Sequence, residues 1–196
     1  MLQSDTISFF RAWLAAPLRV GAVAPSSPAL AELLTRDIIA ASGPVIELGP
    51  GTGAFTRALI GRGVEERDLT LIESGADFAG LLKTRFPRAR VLKLDAGELR
   101  TAALFAGPVA GAVISSLPVL SMPPQKVSAI LDGAFAYLNP HGAFYQVTYG
   151  PWCPVPRRLL DQLGLQATRV GHTLRNIPPA AVYRIARGAA PQPVRG

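Results

Sequence analysis

The spacing of apolar and polar residues changes its period several times along the chain, and these changes predict the order of the elements. Short apolar runs predict strands at 45–48, 69–72, 91–94, 111–115 and 143–149. Helical spacing predicts helices at 5–18, 29–40, 54–61, 76–86, 97–105, 123–138 and 155–163. Because the two kinds of element alternate, we expect a parallel sheet that is covered by helices on both faces.

Two further β-like runs, 166–170 and 181–186, end the predicted sheet. The segment between them, 175–179, is too short and too rich in proline for a helical crossover. We therefore expect these runs to form an antiparallel hairpin. The predicted fold class is α/β, with a seven-stranded sheet that is mostly parallel, has an antiparallel last strand and is preceded by an N-terminal amphipathic helix.

The composition fits one domain with a large core. The chain has 196 residues, of which 49% are hydrophobic, and this is enough for a single packed domain. No apolar run is long enough to predict a transmembrane helix, and the first residues lack the basic and apolar regions of a signal peptide. The single cysteine, Cys153, excludes an internal disulfide, so we expect a cytoplasmic protein.

The net charge of +7 lies almost wholly in the last quarter of the chain. Residues 150–196 contain seven arginines and one acidic residue, Asp161, which gives this segment a charge of +6. A localised positive field attracts polyanions, either nucleic acid or an anionic membrane surface. Composition does not choose between these two partners, and it also fits a basic surface that binds neither.

The predicted helix 5–18 has an aromatic face. Apolar side chains recur at helical spacing with arginines at or near the flanks: Ile7, Phe10, Arg11, Trp13, Leu14, Leu18 and Arg19. This pattern is typical of a helix that lies in a membrane interface. It also fits a helix that packs over the core of its own domain, so both interpretations stay open at this point.

The first predicted strand leads into a glycine-rich turn. The run Glu47-x-Gly49-x-Gly51-x-Gly53 follows from the apolar strand and precedes a helix. Glycine has no Cβ, so such a turn lets the backbone approach a nucleotide-type cofactor closely. Together with Glu73, the turn satisfies a loose dinucleotide fingerprint, and an NAD-dependent oxidoreductase is therefore one interpretation.

Three acidic residues favour S-adenosylmethionine over NAD. Glu47, Glu73 and Asp95 lie in or at the end of successive strands, so they meet at the carboxyl edge of a parallel sheet, where such sheets bind ligands. Glu73 can accept hydrogen bonds from ribose hydroxyls and Asp95 from the adenine amino group, whereas Glu47 can contact the cationic methionyl end. A pyrophosphate beside Glu47 would be repelled. Glu73 or Asp95 can alternatively serve as a helix N-cap.

The arrangement resembles the class I S-adenosylmethionine-dependent methyltransferases, which have a Rossmann-like sheet. The matching features are the run 47–53, Glu73, Asp95 and the antiparallel last strand, and they cover about 45–187. The resemblance implies S-adenosyl-L-methionine as cofactor, S-adenosyl-L-homocysteine as product and no metal. The cofactor contacts that it implies are Ser26, Glu47, Gly49, Pro50, Gly51, Thr52, Gly53, Glu73, Ser74, Asp95, Ala96 and Ser115.

The segment after the fourth predicted strand bears on the methyl acceptor. It reads Ser115-Ser116-Leu117-Pro118-Val119, where adenine amino methyltransferases carry an asparagine or aspartate, proline and an aromatic residue. The Leu-Pro pair is present, so an RNA adenine N6-dimethyltransferase is an alternative. Val119 counts against it, because base stacking needs an aromatic face.

Segments outside the cofactor motif resemble the bacterial phospholipid N-methyltransferases. They are Phe9-Phe10-Arg11-x-Trp13, 17–27, 45–53, 115–118, Gln146-x-Thr148-Tyr149-Gly150-Pro151 and 175–180. This resemblance spans nearly the whole chain. It implies N-methylation of phosphatidylethanolamine, and of its mono- and dimethyl derivatives, towards phosphatidylcholine at a membrane surface.

The same resemblance implies where the substrate and the membrane bind. The contacts expected with them are Phe9, Phe10, Arg11, Trp13, Arg19, Ser116, Leu117, Pro118 and Arg175. Tyr145 and Tyr149 are the candidate catalytic residues, because a tyrosine near the acceptor can accept a hydrogen bond from the amine or relay its proton.

The resemblance also implies an organisation for the chain. Residues 1–44 would form helices that contact the membrane and cover the pocket, 45–187 the methyltransferase core, and 188–196 a disordered tail. We expect a cytoplasmic monomer, peripherally associated with the inner face of the bacterial membrane. Its expected partners are a phospholipid substrate and an anionic membrane surface, and no nucleic acid.

Overall fold

The computed structural model describes residues 27–188, and its strands form one seven-stranded sheet. The strands are β1 (Val45–Leu48), β2 (Leu69–Glu73), β3 (Arg90–Lys93), β4 (Ala110–Ser115), β5 (Leu138–Thr148), β6 (Leu165–Thr173) and β7 (Ala180–Arg187). Their order across the sheet is β3-β2-β1-β4-β5-β7-β6. β1 to β5 are parallel, whereas β7 is antiparallel to both β5 and β6. The predicted α/β class, with a mostly parallel seven-stranded sheet and an antiparallel last strand, is confirmed.

The described segment contains five α-helices, one ahead of the first strand and four between strands. They are α1 (Pro28–Thr35), α2 (Ala54–Gly61), α3 (Ala76–Arg85), α4 (Pro124–Tyr137) and α5 (Arg157–Gln162). Short 3-10 helices lie at 40–42, 66–68, 96–101 and 119–121. Local sequence explains the start of α1: the Ser27 hydroxyl accepts a hydrogen bond from the amide of Leu30 at 3.2 Å, and Pro28 occupies the first turn.

The first helix is shorter than the spacing of apolar residues predicts. The helix expected over 29–40 ends at Thr35, whose hydroxyl donates to the carbonyl of Ala31 at 2.8 Å. Such back-bonding by threonine competes with continuation of the helix. Ile38 is still buried, at 1% exposure, but it packs into the core from an irregular segment.

Two other elements differ from their predicted form. The helix expected over 97–105 is a 3-10 helix over 96–101. β5 begins at Leu138, five residues before the predicted start of the strand at 143. The strand is longer because α4 passes directly into it without a loop, and Leu138 pairs with Ala110 before the register shifts.

Two apolar layers cover the two faces of the sheet. α1, α2 and α3 pack on one face, where Leu34, Leu59 and Leu82 are fully buried. α4, α5 and the 3-10 helix at 96–101 pack on the other face, where Ile130 of α4 and Leu160 of α5 are buried. Alternate side chains of each central strand enter opposite layers, which explains why these strands appear in the sequence as nearly continuous apolar runs.

The carboxyl ends of the parallel strands define one edge of the sheet, which we call the carboxyl edge. The loop between β6 and β7, residues 174–179, reaches this edge as well, because Thr148 near the end of β5 pairs with Ala181 near the start of β7. The glycine turn after β1, the loops after β4 and β5, and the 174–179 loop therefore all lie at the carboxyl edge. Ligands of open α/β sheets bind there.

Some predictions concern residues outside the described range. The predicted helix 5–18, Ser26 and the tail beyond residue 188 lie there, and the division of the chain into 1–44, 45–187 and 188–196 stays a prediction. Among residues 27–188, no helix is long and apolar enough to cross a membrane.

Gly111 in β4 offers a test of the packing. A Cβ built there would lie 1.5 Å from the carbonyl oxygen of Ser42, a backbone atom. We expect Gly111→Ala to lower the free energy of unfolding by about 3 kcal/mol, measured by urea denaturation. Gly80→Ala in α3 is the matched control, because apart from its chain neighbours and the backbone of its own helix no described atom lies within 4 Å of the added Cβ; helix propensity should raise its stability by about 1 kcal/mol. Equal stability of the two variants would contradict this packing.

Candidate active site

The glycine turn connects β1 to α2 with three residues in the left-handed region. The angle φ is +70° at Gly49, +53° at Gly51 and +79° at Gly53, values that residues with a Cβ rarely adopt. A Cβ on Gly53 would also lie 2.4 Å from the ring of Phe86, so contact as well as φ requires glycine there. No described atom lies within 4 Å of a Cβ built on Gly51, which leaves its backbone accessible to a ligand.

Glu47 is buried in β1 just ahead of this turn, with 1% of its surface exposed. Its Oε2 accepts a hydrogen bond from the hydroxyl of Thr56 at 2.6 Å, and its Oε1 has no hydrogen-bond partner among the described residues. Burial raises the pKa of Glu47 from 4.5 to about 7, although the hydrogen bonds from Thr56 and the charge of Arg57 oppose this shift. A cationic ligand group would complete the coordination of this carboxylate.

Glu73, at the end of β2, fixes the position of the turn. Its Oε2 accepts a hydrogen bond from the amide of Gly51 at 3.2 Å, and its Oε1 accepts one from the amide of Gly75 at 2.8 Å. The two bonds join the glycine turn to the start of α3. Each carboxylate oxygen keeps a further lone pair, so Glu73 can still accept hydroxyl groups of a ligand.

Asp95 follows β3 and is both a helix cap and one partner of an ion pair. Its Oδ1 accepts a hydrogen bond from the amide of Gly97 at 2.8 Å, which caps the 3-10 helix, and its Oδ2 lies 2.6 Å from Nζ of Lys126 on α4. The hydrogen bonds from Lys126 and Gly97 lower the pKa of Asp95. The capping role that the sequence left open is therefore present at Asp95.

Two cavities open at the carboxyl edge. The acidic cavity, of about 80 Å³, is lined by Gly49, Ile72, Glu73, Ser74, Leu94, Asp95, Ala96, Leu117, Met122 and Lys126. The apolar cavity, of about 50 Å³, is lined by Ser116, Leu117, Pro118, Val119, Leu120, Val147, Thr148, Tyr149 and Pro154. Leu117 lines both cavities, and the Ser116 hydroxyl donates to the carbonyl of Gly49 at 2.7 Å. The walls of the two cavities are therefore joined. A wider open groove, of about 550 Å³, lies outside both cavities, between the 152–161 segment and the first half of β6.

Two buried side chains beside the apolar cavity each have an oxygen without a hydrogen-bond partner among the described residues. Gln146 in β5 is fully buried; its Nε2 donates to the carbonyls of Leu117 and Val147 at 2.9 and 2.7 Å, whereas its Oε1 has no hydrogen-bond partner among the described residues. Thr148 lies two residues further along, on the same face of the strand, and its buried Oγ1 is likewise unpartnered there. With Oε1 of Glu47, these are the only such side-chain atoms in residues 27–188.

The two candidate tyrosines lie in different environments. Tyr145 is buried in the core layer that contains α1, and burial raises the pKa of its phenol although a hydrogen bond with Arg184 opposes the shift. Tyr149 lines the apolar cavity, and burial also raises the pKa of its phenol. Only Tyr149 of the pair lines one of the two cavities, and the catalytic role of either stays a prediction.

The other predicted site residues are distributed unevenly. Ser115 is fully buried at the end of β4, where its hydroxyl accepts a hydrogen bond from the amide of Leu117 at 3.3 Å. Pro50 and Thr52 belong to the glycine turn, and Arg175 is exposed in the 174–179 loop, outside both cavities. Phe9, Phe10, Arg11, Trp13, Arg19 and Ser26 lie outside the described residues.

Sequence reasoning missed several residues of the site. They are Thr56, which binds Glu47; Lys126, which binds Asp95; and Met122 and Leu120, which line cavities. Lys126 is 31 residues from Asp95 along the chain, so no local pattern links them. For Gln146 and Thr148 the only hint was their place in a segment of family resemblance.

Comparisons with known proteins place the chain among methyltransferases. No protein-family model matches it. An ornithine lipid N-methyltransferase of Singulisphaera acidiphila is 32% identical over 169 residues, which cover 84% of this chain and 86% of that protein. A ribosomal RNA small subunit methyltransferase A of Maridesulfovibrio salexigens is 33% identical over 110 residues, but these cover 55% of this chain and 40% of that protein. The first similarity thus extends over most of both chains.

Solved structures share the fold at low sequence identity. The glycopeptide N-methyltransferase MtfA complexed with S-adenosyl-L-methionine superposes with a TM-score of 0.64 at 12% identity, covering 84% of this chain and 96% of that chain. A TehB-like SAM-dependent methyltransferase from Corynebacterium glutamicum superposes with a TM-score of 0.61, also at 12% identity, covering 94% of this chain and 99% of that chain. At these identities the likeness establishes the fold alone.

The raised pKa of Glu47 predicts how stability depends on pH. The pKa of Glu47 rises from 4.5 to about 7 on folding, so between these pH values the folded state keeps a proton on Glu47 that the unfolded state has lost. The stabilisation from this proton is complete below pH 4.5 and is lost as the pH rises to about 7, a loss of about 3 kcal/mol. Glu47→Gln should remove this slope. The measurement is urea denaturation of both proteins without cofactor from pH 4 to 8, and parallel stability curves would contradict the burial of an ionisable Glu47.

Proposed function

The chain belongs to the bacterial lipid N-methyltransferases, a family of class I S-adenosylmethionine-dependent methyltransferases, and on this premise we propose that its methyl acceptor is phosphatidylethanolamine, with the mono- and dimethyl derivatives as later substrates. The main support is the pair of cavities that share Leu117. One is lined by carboxylates, the other by apolar residues. A cofactor and a lipid amine need these two environments side by side.

The residues of the acidic cavity fit S-adenosylmethionine. Glu73 and Asp95, which line this cavity, would hold the ribose hydroxyls and the adenine amino group. Glu47 lies buried just ahead of the glycine turn rather than in the cavity wall, and its unpartnered Oε1 would hold the methionyl ammonium. This ammonium would favour the ionised form of Glu47 and offset the desolvation that raises its pKa. The open space at Gly51 admits the ligand beside the backbone. When bound, the cofactor supplies a methyl group on a sulfonium, which is already activated for transfer to an amine.

The apolar cavity suits a neutral amine. Leu117 and Pro118 exclude water, and Thr148 Oγ1 accepts a hydrogen bond from the N–H of a primary or secondary amine, which holds the nitrogen lone pair toward the acidic cavity. The dimethyl derivative has no N–H, so the shape of the cavity positions its nitrogen. The lipid ammonium must first lose a proton. Tyr149 passes this proton to solvent; because burial raises the pKa of its phenol, the group stays protonated near neutral pH and works as a relay rather than as a fixed base. We prefer Tyr149 to Tyr145 because only Tyr149 lines the apolar cavity.

An ornithine lipid is the second candidate acceptor. The relative that is 32% identical over 84% of this chain bears that name. Both kinds of lipid present an amine close to an anionic group, a phosphate or a carboxylate, and the exposed guanidinium of Arg175 can pair with either one. RNA adenine fits less well, because Val119 stands where a base would need an aromatic side chain.

We assign membrane contact to the N-terminal segment. Phe9, Phe10 and Trp13 would enter the acyl boundary of the bilayer, while Arg11 and Arg19 meet lipid phosphates. The basic last quarter of the chain adds attraction to anionic lipid. On this proposal the protein is a monomer that associates peripherally with the inner face of the bacterial membrane.

Transfer of a labelled methyl group tests the acceptor. The full-length chain is incubated with labelled S-adenosylmethionine and with phosphatidylethanolamine vesicles, ornithine lipid vesicles or ribosomal RNA. We expect label in methylated phosphatidylethanolamines, and Gly51→Val, which places a branched side chain at a φ of +53°, should bind no cofactor and transfer none. Label in ornithine lipid alone would select the second candidate, and label in RNA alone would overturn a lipid acceptor.

Thr148→Val tests the proposed contact with the amine. The substitution keeps the shape of the side chain and removes a hydroxyl that has no partner among the described residues, so the free energy of unfolding should not fall. Loss of one hydrogen bond to the substrate should lower kcat/KM for the lipid about tenfold.

Thr35→Val is the matched control for this variant. Thr35 is equally buried, but its hydroxyl donates to the carbonyl of Ala31 at 2.8 Å. We expect this control to lose about 1 kcal/mol of stability and to keep its activity. Unchanged lipid kinetics in Thr148→Val would exclude the contact.

A further inference from the structure

Exposed large apolar side chains are concentrated at the carboxyl edge. Six such side chains are strongly exposed in residues 27–188: Ile39 (51%), Val109 (47%), Leu120 (55%), Trp152 (80%), Leu174 (74%) and Ile177 (86%). The last four lie on the loops after β4 and β5 and on the β6–β7 loop, all at the carboxyl edge. We call these four residues the apolar rim. Ile39 and Val109 precede β1 and β4 and therefore lie at the opposite edge.

The three loops that bear the apolar rim have almost no charge. Residues 116–123, 149–156 and 174–179 contain no aspartate or glutamate, and their one charged residue is Arg175. Arg157 and Arg158 follow at once in the first turn of α5, and both are exposed. Two acids border this surface from neighbouring helices, Glu32 of α1 and Asp161 of α5, which lies 3.8 Å from Arg157. The loops themselves carry no acid, and their apolar side chains with flanking arginines complement the interface of an anionic bilayer.

Hydrogen bonds hold two of these loops in place. The Tyr183 hydroxyl donates to the carbonyl of Pro151 at 2.8 Å, next to Trp152. The side chain of Asn176 donates to the carbonyl of Pro178 at 2.7 Å and accepts a hydrogen bond from the amide of Ser27 at 3.0 Å. The outward direction of the apolar side chains is therefore supported by the fold.

We propose that the apolar rim inserts into the interface of an anionic bilayer and places the apolar cavity over the lipid head groups. Leu120 belongs to both the rim and the wall of that cavity, so the inserted surface is continuous with the site of the amine. Trp152 suits an interface because its indole combines an apolar body with one hydrogen-bond donor. The inference rests on the proposed lipid acceptor, and it assigns to residues 120–177 a docking surface separate from the predicted helix 5–18.

Fluorescence of Trp152 provides a direct test. The chain has two tryptophans, so the full-length Trp13→Phe variant reports on Trp152 alone. We expect its emission to shift to the blue with vesicles of phosphatidylglycerol and phosphatidylcholine, and to be quenched by brominated acyl chains. Vesicle binding without shift or quenching would overturn the proposal. A different outcome is that the emission is already blue-shifted without lipid and shifts to the red when residues 1–26 are deleted. This outcome would overturn insertion of the rim and show that the N-terminal segment covers it.

Substitutions test the contribution of the rim to membrane binding. We expect Trp152→Ser/Leu174→Ser/Ile177→Ser to weaken vesicle binding in cosedimentation at least roughly tenfold. Ile39→Ser/Val109→Ser removes comparable apolar side chains at the opposite edge and should change binding less than about twofold. Equal loss in both variants, or none in the first, would contradict the rim. Thermal unfolding and S-adenosylmethionine binding verify that both variants are folded.

The readouts separate this inference from the proposed function. Fluorescence and cosedimentation need no methyl transfer, so a chain that inserts Trp152 but methylates no lipid would contradict the proposed function and leave the rim intact. A chain that methylates detergent-dispersed lipid but does not insert Trp152 would contradict the rim alone. If both hold, the rim variant should also have a lower ratio of activity on vesicles to activity on dispersed lipid.

Discussion

The carboxylate of Glu73 joins the parts of the chain that form the acidic cavity. Its two oxygens bind the amides of Gly51 and Gly75, which belong to different turns at the carboxyl edge. A glycine turn has few conformational restraints of its own, because its residues lack a Cβ. The carboxylate supplies these restraints from a neighbouring strand. The position of the turn, and with it the approach of a ligand to the backbone, thus depends on one buried side chain at the end of β2.

Features that contiguous residues specify could be predicted from the sequence. The glycine turn and the strands that deliver Glu47, Glu73 and Asp95 to one edge each occupy a short segment with a clear period or a required φ. The helix expected over 29–40 could not be placed correctly by period alone. Its apolar spacing continues to Ile38, but the chain leaves the helix at Thr35 and buries Ile38 from an irregular segment.

Features that depend on packing could not be predicted. Lys126 pairs with Asp95 only because α4 packs against the 3-10 helix that Asp95 caps, and its place in the sequence resembles that of any surface lysine. The unpartnered oxygens of Gln146 and Thr148 are likewise set by what surrounds them in the folded chain. The acceptor cavity is built largely from such residues, so its shape was the part of the site least accessible to sequence reasoning.

The bond between the Ser116 hydroxyl and the Gly49 carbonyl has a consequence for how enzymes of this type can diverge. This hydrogen bond joins the glycine turn, which binds the cofactor, directly to the loop after β4, which faces the methyl acceptor. On the side of the loop it involves only Ser116, the first residue after β4. Residues of that loop other than Leu117 and Met122, which line the acidic cavity with Gly49, can change in evolution without disturbing the turn. New acceptors are therefore accessible by drift in a few loop positions while the methyl-donating half of the protein stays constant.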